Sequence, residues 1–295
     1  MSSSMVVAVV VTYHPEPGSL QRLAHCLAGQ VTHVLVVDNG TPDDSRPLMA
    51  PTVECLRLDD NLGLGAAQNH GIAWARERGA DAVLLMDQDS EPAGDMVARL
   101  ETAWRDLERQ GHHVAALGPN YSDPRVDHRS PFHRVRGLRL ERPGCPDDGA
   151  VVEVDHLTAS GSLIPLASLA RVGPMDDALF IDYVDVEWGL RASHHGLQCF
   201  GVCGALMRHP LGDEPLRAFG RRYVRHSPLR NYYYFRNAFA LMRRRWVPWN
   251  WKLVELRRLV LRMGLYLTAD PARFRHLGMI ARGVFHGLIG RSGRL

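Results

Sequence analysis

The chain has 295 residues, of which 45% are hydrophobic and 23% are charged, a composition that is ordinary for a globular protein. This length suits one large α/β domain with an appendage, or two small domains. The sequence contains no uninterrupted run of about 18 apolar residues, which argues against a membrane-spanning helix. The N-terminus lacks the basic region of a secretory signal.

The five cysteines include no CxxC pair, which argues against a zinc site and against a disulfide scaffold. A reducing compartment, the cytoplasm, is therefore expected. The net charge of +3 conceals a strong asymmetry. Residues 217–295 carry 18 basic residues and only two acids, Glu255 and Asp270, whereas the first 216 residues have a net charge of −13. A basic tail of this kind predicts an anionic partner, for which membrane phospholipid, pyrophosphate and nucleic acid are candidates.

Strands and helices alternate through the first 120 residues. Strands are predicted at 5–12, 34–37, 53–58, 82–86 and 114–117, and helices at about 16–28, 65–78 and 96–110. The first strand is a continuous β-branched run, which is typical of a parallel strand that is buried on both faces. The alternation predicts an α/β fold with a parallel sheet and right-handed crossovers.

The second half of the chain is less regular. Residues 120–150 are polar and are interpreted as a loop or flexible insertion. An apolar stretch at 159–166, a helix at about 184–195 and a strand at 198–203 follow. From residue 227 onward the pattern is helical, in about three pieces. We therefore divide the chain into a catalytic domain, 1–226, and a basic helical extension, 227–295.

Polar residues follow three of the predicted strands directly. The first strand ends at Thr12-Tyr13, the second at Asp38 and the fourth at Asp87-Gln88-Asp89. Ligands of open parallel sheets bind beyond the carboxyl ends of the strands, so these residues are expected at one edge. Asp38 is either a turn former or an acceptor for the imide N–H of a pyrimidine base.

Asp87 and Asp89 are two residues apart after a buried strand, so their carboxylates point to the same side if the chain stays extended. Such a pair suits Mg²⁺ or Mn²⁺ together with phosphate oxygens. An isolated Asp-x-Asp is more often a solvated turn, but the preceding buried strand favours the metal site. His209 is a candidate third ligand, although a lone histidine is more often structural.

Residues 61–71 open a helix with small residues, and the glycine spacing is not GxGxxG. Asn61 and Asn69 either fix this helix start or line a ligand site, and both alternatives remain open. Residues 180–191 place several carboxylates at another helix start, where Asp182 is the expected N-cap. Glu187 and Arg191 are i,i+4 partners. Asp185 has no such partner and could face a cleft as a general base.

The tail segment 249–267 is amphipathic. Its apolar face carries Leu253, Leu256, Val260, Met263 and Leu267, and another face carries Lys252, Glu255, Arg258 and Arg262. The helix either lies in an anionic membrane interface or packs on the catalytic domain or on a second subunit of a homo-oligomer. The charge favours the membrane. Nucleic acid is disfavoured because no recognised module accompanies the charge.

Together these segments resemble the family-two glycosyltransferases of the GT-A fold, and among them the bacterial rhamnosyltransferases. The matching motifs, in family order, are 11–13, 37–40, 61–71, 87–90, 159–161, 182–191 and 209–212. The DQDS form of residues 87–90 and the motif at 230–237 resemble the rhamnosyltransferase branch. The resemblance implies a Rossmann-like sheet flanked by helices, which binds a nucleotide diphosphate sugar and a divalent metal.

The resemblance also implies roles for individual residues. The nucleotide-sugar site would comprise Thr12, Tyr13, Asp38, Asn61, Gly63, Asn69, Asp87 and Gln88, with Arg230 and Arg236 reaching the pyrophosphate as a lid. The metal would be held by Asp87, Asp89 and His209, and Asp185 would be the catalytic base. Val184 stands where the family usually has Glu, which leaves the choice between Asp185 and Glu187 open.

The expected activity is therefore inverting transfer of L-rhamnose from dTDP-L-rhamnose to a hydroxyl of a cell-surface glycan or a lipid-linked acceptor, at the inner face of the membrane. Another dTDP- or UDP-sugar is an alternative donor. A sugar nucleotidyltransferase would need a glycine-rich, basic loop after the first strand, and residues 12–16 offer none. A non-catalytic sugar-nucleotide-binding protein is a further alternative, against which the intact Asp87 and Asp89 pair and Asp185 argue.

Overall fold

The computed structural model describes residues 4–42, 53–123, 125, 132–210, 213–218 and 220–295. The strands are β1 Val6–Thr12, β2 His33–Asn39, β3 Glu54–Leu58, β4 Ala82–Asp87, β5 Glu91–Pro92, β6 Val114–Ser122, β7 Arg134–Arg136, β8 Arg139–Glu141, β9 Val151–Val154, β10 Leu163–Pro165, β11 Gln198–Arg208, β12 Asp213–Ala218 and β13 Arg221–Arg225. The helices are α1 Pro17–Ala28, α2 Leu64–Glu77, α3 Met96–Arg109, α4 Leu166–Val172, α5 Val184–His194, α6 Pro228–Met242, α7 Trp249–Ala269 and α8 Arg273–Ile289.

Nine strands of the described residues form the central sheet, eight of them in the order β3-β2-β1-β4-β10-β6-β11-β5, with β9 pairing with β11. Strands β1 to β4 are parallel. All seven residues of β1 are buried. Its alternate residues enter two separate hydrophobic clusters, one on each face of the sheet, which explains the continuous run of β-branched residues.

The sheet is mostly parallel, which confirms the predicted fold class, and it also contains antiparallel strands. The apolar stretch at 159–166 supplies the short strand β10, which runs antiparallel between β4 and β6. Strand β11 pairs parallel with β6 and has an irregular register between Val202 and Leu206. This strand continues to Arg208, five residues beyond the predicted end, and so delivers His209 to the edge of the sheet.

The described part of the polar segment 120–150 contains regular structure that was not predicted. It contains the end of β6 and the hairpin of β7 and β8. Its Cys145 forms a disulfide with Cys203 of β11, so the prediction of no disulfide-based structure is wrong for this pair. Cys26, Cys55 and Cys199 are not part of a disulfide.

The tail forms three helices, as predicted. Helices α6 and α8 pack closely because α8 presents glycines to α6: a Cβ at Gly283 would lie 2.5 Å from the Tyr232 carbonyl oxygen. Stacked rings of Tyr266 and His276 join α7 to α8. In the described residues, no helix has an apolar segment long enough to cross a bilayer.

Candidate active site

The carboxyl ends of the parallel strands meet at one edge, as the sequence predicts. Thr12 pairs in register with Asp38 of β2, and Val11 pairs with Asp87 of β4. A cleft of about 620 Å³ opens above this edge, a volume typical of small-molecule sites. Ten of the thirteen predicted site residues line it: Thr12, Tyr13, Asn61, Gly63, Asp87, Gln88, Asp89, Asp185, His209 and Arg230.

Asp87, Asp89 and His209 form the metal-site candidate. One ligand atom from each residue lies within 4.8 Å of the others. The imidazole nitrogens of His209 lie 3.6 Å from an Asp87 oxygen and 3.5 Å from an Asp89 oxygen. Two carboxylates and an imidazole converging on one point suit a divalent cation such as Mn²⁺ or Mg²⁺.

The charges of this group also suit a cation. Burial raises the pKa of Asp87, and the neighbouring Asp89 charge raises it further, against the opposing effects of His209 and Arg230. Burial lowers the pKa of His209, but the hydrogen bond with Asp89 and the charges of both aspartates outweigh this effect and raise it. A cation would relieve the repulsion between the carboxylates.

Two buried serines, Ser90 and Ser160, fix the geometry of the metal-site candidate; both lie in the matching motifs, but neither was among the predicted site residues. The Ser90 hydroxyl lies 2.6 Å from the Ser160 hydroxyl and 3.1 Å from His209 Nδ1. Ser160 Oγ also accepts a hydrogen bond from the Asp87 backbone N–H at 3.0 Å. The serines of the DQDS and Ala-Ser-Gly motifs therefore orient the metal ligands.

Asp185 lies in the first turn of α5 and faces the cleft. Its carboxylate accepts hydrogen bonds from the backbone N–H groups of Val186 at 2.8 Å and Ala159 at 3.3 Å. Burial raises its pKa to about 6, although these two hydrogen bonds oppose the shift. A carboxylate with a pKa just below neutral is suited to accept a proton.

Glu187 is excluded as the base by its surroundings. Its side chain is fully buried and forms ion pairs with Arg191 at 2.9 Å and with Arg244 at 2.5 Å. The predicted pair with Arg191 is confirmed. Asp182, in contrast, is not the N-cap of α5, because Tyr183 occupies that position; the Asp182 carboxylate instead pairs with Arg230 at 3.3 Å.

The loop before α5 adopts an unusual backbone conformation. Phe180, Asp182 and Tyr183 all have φ between 62° and 65°, which is uncommon for residues other than glycine. Such conformations persist only where surrounding structure enforces them, and they occur often at functional sites. Here the loop carries Asp185 into the cleft.

Helix α6 holds this loop in place through hydrogen bonds, and Arg236 donates one of them. The Asn237 amide donates to the carbonyl oxygens of Leu179, Ile181 and Asp182 at 2.8–2.9 Å, and Arg236 donates to Leu179 at 2.8 Å. Arg236 is 1% exposed and does not line the cleft. The prediction that it reaches a pyrophosphate is therefore wrong, because these carbonyls occupy its guanidinium.

The nucleotide side of the cleft is held by amide side chains. Gln88 accepts from the Tyr13 N–H at 2.8 Å and donates to its carbonyl at 3.2 Å. The Asn61 oxygen accepts from the Asn39 amide at 3.1 Å and from the Gly63 N–H at 3.0 Å. These contacts shape the edge of the cleft that the resemblance associates with the thymine or uracil base of the nucleotide.

Gly63 is required where the two halves of the site meet. Its φ is +90°, and a Cβ there would lie 2.6 Å from the Phe180 carbonyl oxygen. Only glycine permits this approach, which brings the loop carrying Asp185 against the start of α2.

Besides Arg236, two predicted nucleotide-sugar residues, Asp38 and Asn69, do not line the cleft. Asp38 is buried, and its carboxylate accepts from the Thr41 N–H at 3.1 Å, which agrees with its alternative role as a turn former. Asn69 uses both amide atoms on the Met175 backbone, at 3.0 and 2.9 Å, which supports the structural alternative for this residue. Leu211 and Gly212 of the last matching motif lie outside the described residues.

The far wall of the cleft comes from residues that, apart from Arg230, sequence reasoning did not place there. Helices α6 and α7 contribute Arg230, Tyr234, Trp251, Glu255, Arg258 and Arg262, and the central region adds His133 and His156. Glu255 accepts a short hydrogen bond from the hydroxyl of Tyr183, which is two residues before Asp185 in the chain. The tail is thus part of the cleft; the nearest signal was the polar face already noted on α7.

Known proteins are similar to this chain in sequence. The glycosyl transferase family 2 model matches residues 8–158. The chain is 33% identical over 249 residues to dTDP-rhamnosyl transferase RfbF of Shigella flexneri, across 83% of this chain and 82% of that protein. It is 30% identical over 282 residues to galactofuranosyltransferase GlfT1 of Mycobacterium tuberculosis (strain CDC 1551), across 86% and 90% of the two chains.

A solved structure shares the fold. The crystal structure of GalNAc-T7 with UDP, GalNAc and Mn²⁺ superposes with a TM-score of 0.58 at 13% sequence identity, over 88% of this chain. This chain spans about half of that one, 54%. The likeness confirms the predicted GT-A fold.

Proposed function

The chain belongs to glycosyl transferase family 2, and we propose that it transfers L-rhamnose from dTDP-L-rhamnose to a hydroxyl of a glycan or lipid-linked acceptor, with inversion. The observation that carries this proposal is the position of Asp185. It is the acidic residue of the α5 start that faces the cleft of the metal-site candidate, whereas Glu187 is buried and paired.

In the proposed reaction, the Asp185 carboxylate accepts the proton of the acceptor hydroxyl as the oxygen attacks the anomeric carbon. The bond from that carbon to the diphosphate oxygen breaks, and the nucleoside diphosphate leaves with the bonding electrons. Attack from the face opposite the diphosphate inverts the anomeric centre. Arg230, which lines the cleft and pairs with Asp182, is placed to stabilise the charge of the leaving group.

Asp87, Asp89 and His209 would hold the divalent cation. When bound, such a cation neutralises the charge that develops on the leaving diphosphate. The donor set supports Mn²⁺ or Mg²⁺ because two of its three ligands are carboxylates.

The similarity to the Shigella flexneri enzyme supports dTDP-rhamnose as the donor, whereas the mycobacterial relatives are galactofuranosyltransferases. The test is a thermal-shift series with Mn²⁺ and dTDP-rhamnose, UDP-galactofuranose, UDP-galactose or GDP-mannose, because a ligand of the native state raises its stability. We expect the largest shift with dTDP-rhamnose. A larger shift with UDP-galactofuranose would contradict the donor assignment.

We further propose that the tail docks on an anionic membrane surface, where a lipid-linked acceptor would be met. Helix α7 exposes Trp249, Leu253, Leu256, Val260 and Leu261, and α8 exposes Phe274, Leu277, Phe285, Leu288 and Ile289. The exposed residues of α8 recur at helical spacing, so they form one stripe. On α7 Leu253, Leu256 and Val260 of the predicted apolar face are exposed. The opposite side packs on the rest of the protein and buries Trp251, Val254, Leu259 and Tyr266, so the outer side of α7 is the one available to a membrane.

The charges support a lipid surface over a second copy of the chain. Both acids of residues 217–295, Glu255 and Asp270, are 2% exposed, while Arg257, Arg275 and Arg282 are exposed. The outer surface of these two helices is therefore apolar and cationic, a combination that suits anionic lipid.

Flotation with vesicles tests this proposal. The double variant Phe274→Ser/Phe285→Ser should float less than wild type with vesicles containing phosphatidylglycerol. Leu138→Ser, an equally exposed apolar residue in the turn between β7 and β8, is the control and should float normally. Equal flotation of all three proteins, or a stable dimer that the double variant disrupts, would contradict the membrane assignment.

A further inference from the structure

The corner of the cleft formed by α6, α7 and His226, two residues before α6, contains polar groups without partners. Within the described part of the chain, Arg262 Nη2 and His226 Nδ1 are buried and have no hydrogen-bond partner. Both residues line the cleft. Buried donors are rarely left unpaired in folded proteins, so these two indicate a ligand that supplies the missing acceptor.

The Arg262 guanidinium is held in a fixed position. Its central carbon lies 4.1 Å from the ring centre of Tyr234 and 5.6 Å from that of Tyr266. Its Nε donates to the Asn231 side-chain oxygen at 3.4 Å. A guanidinium restrained by aromatic faces loses little entropy on binding and presents its remaining N–H groups in one direction.

The corner is positively charged. Arg230 and Arg262 both line it, and Asp182 is the carboxylate that pairs with Arg230. Glu255, about two turns before Arg262 on α7, is already engaged by Tyr183 and Arg258. Burial, together with the charges of Arg262 and Arg230, lowers the pKa of His226 to about 2, so its imidazole is neutral and can offer one N–H.

We propose that Arg262, with Arg230 and His226, binds a phosphate group in the cleft that also holds the metal-site candidate. Arginine forks match phosphate oxygens with strong, charge-assisted hydrogen bonds. The phosphate would be either the diphosphate of the sugar donor or a phosphate of a lipid-linked acceptor. This inference rests on the proposed function, and it assigns a binding role to residues of α7, which lies beyond the residues that the family model matches.

Calorimetric titration of Arg262→Gln tests the assignment, with thymidine diphosphate, thymidine and inorganic pyrophosphate as probes. Arg245→Gln is the matched control, since Arg245 is exposed between α6 and α7. Loss of a charge-assisted hydrogen bond predicts at least about tenfold weaker binding of thymidine diphosphate and pyrophosphate, with thymidine unchanged. Arg262→Lys keeps the charge without the fork and should lose less; it replaces Arg262→Gln if that variant does not fold.

The outcomes separate the two phosphate sources. If thymidine diphosphate binding is unchanged but the KM for a phosphate-bearing acceptor rises at least about tenfold, the acceptor supplies the phosphate. Unchanged binding and unchanged KM would overturn the inference while leaving sugar transfer intact. Arg262-dependent pyrophosphate binding in a protein that transfers no sugar would uphold it and contradict the proposed function.

Discussion

Asp185 and Glu187 show how two carboxylates on one helix can differ in role. They lie two positions apart in α5, so they point to different sides. Glu187 is neutralised by Arg191 and Arg244, whereas Asp185 faces the cleft and accepts only backbone N–H groups. The sequence left this choice open because Arg244, 57 residues away, is not a visible partner of Glu187.

Replacing Asp185 with Asn should abolish proton acceptance while preserving the shape of the side chain. We expect turnover to fall by about 10²- to 10⁴-fold and the dissociation constant of the donor to change little. Asp177→Asn, at an exposed aspartate just before the loop that precedes α5, should leave turnover and the dissociation constant of the donor unchanged. Wild-type turnover by Asp185→Asn would remove Asp185 from the mechanism.

The pH dependence of turnover follows from the same carboxyl group. Burial raises its pKa to about 6, and only the ionised form accepts a proton. The rate should therefore be maximal above about pH 7 and fall about tenfold per pH unit well below pH 6. A pH–rate profile at saturating metal measures this, and a rate that stays constant down to pH 5 would contradict the assignment.

At the scale of elements, α7 has an orientation that its pattern alone does not reveal. An amphipathic helix normally buries its apolar face, yet Leu253, Leu256 and Val260 are exposed while Glu255 is buried. The polar face is turned into the cleft, where Glu255 contacts Tyr183 and Arg258. The helix and its two faces were predictable, but which face would be buried depends on tertiary contacts.

The close contact of α8 with α6 makes a matched pair of glycine variants informative. Gly283→Ala would place a Cβ 2.5 Å from the Tyr232 backbone oxygen, whereas Gly278 on the same helix has no atom within 4 Å of such a Cβ. Gly278→Ala should raise the free energy of unfolding by roughly 0.5–1 kcal/mol because alanine favours the helix. Gly283→Ala should instead lower it, as measured by urea denaturation. Equal effects would contradict the observed packing.

Local patterns predicted the strands and the edge of the sheet well. Buried apolar runs located β1, β2 and β4, and the polar residues after them meet as expected. The roles of Asn69 and Arg236 were not predictable, because their partners, Met175 and Leu179, are distant in sequence and are backbone groups. Backbone acceptors leave no signature in side-chain patterns.

At the scale of the whole molecule, the acidic and the basic parts of the chain supply different surfaces. The first 216 residues have a net charge of −13 and supply the acidic floor of the cleft, and residues 217–295 carry 18 basic residues. Some of those arginines enter the cleft and others lie on the outer surface. The charge asymmetry predicts an anionic partner. The Arg262 experiment tests whether that partner is a phosphate, and the flotation experiment tests whether it is a lipid surface.

The central claim is metal-dependent sugar transfer at Asp87, Asp89 and His209. The most direct measurement is transfer of labelled rhamnose from dTDP-L-rhamnose to a bacterial membrane glycan fraction, before and after chelation with EDTA. Wild type and Asp59→Asn, a control at an exposed aspartate, should transfer with Mn²⁺ or Mg²⁺, lose transfer with EDTA and regain it when metal is restored. Asp89→Asn should transfer little throughout. Undiminished transfer after chelation, or by Asp89→Asn, would contradict the account.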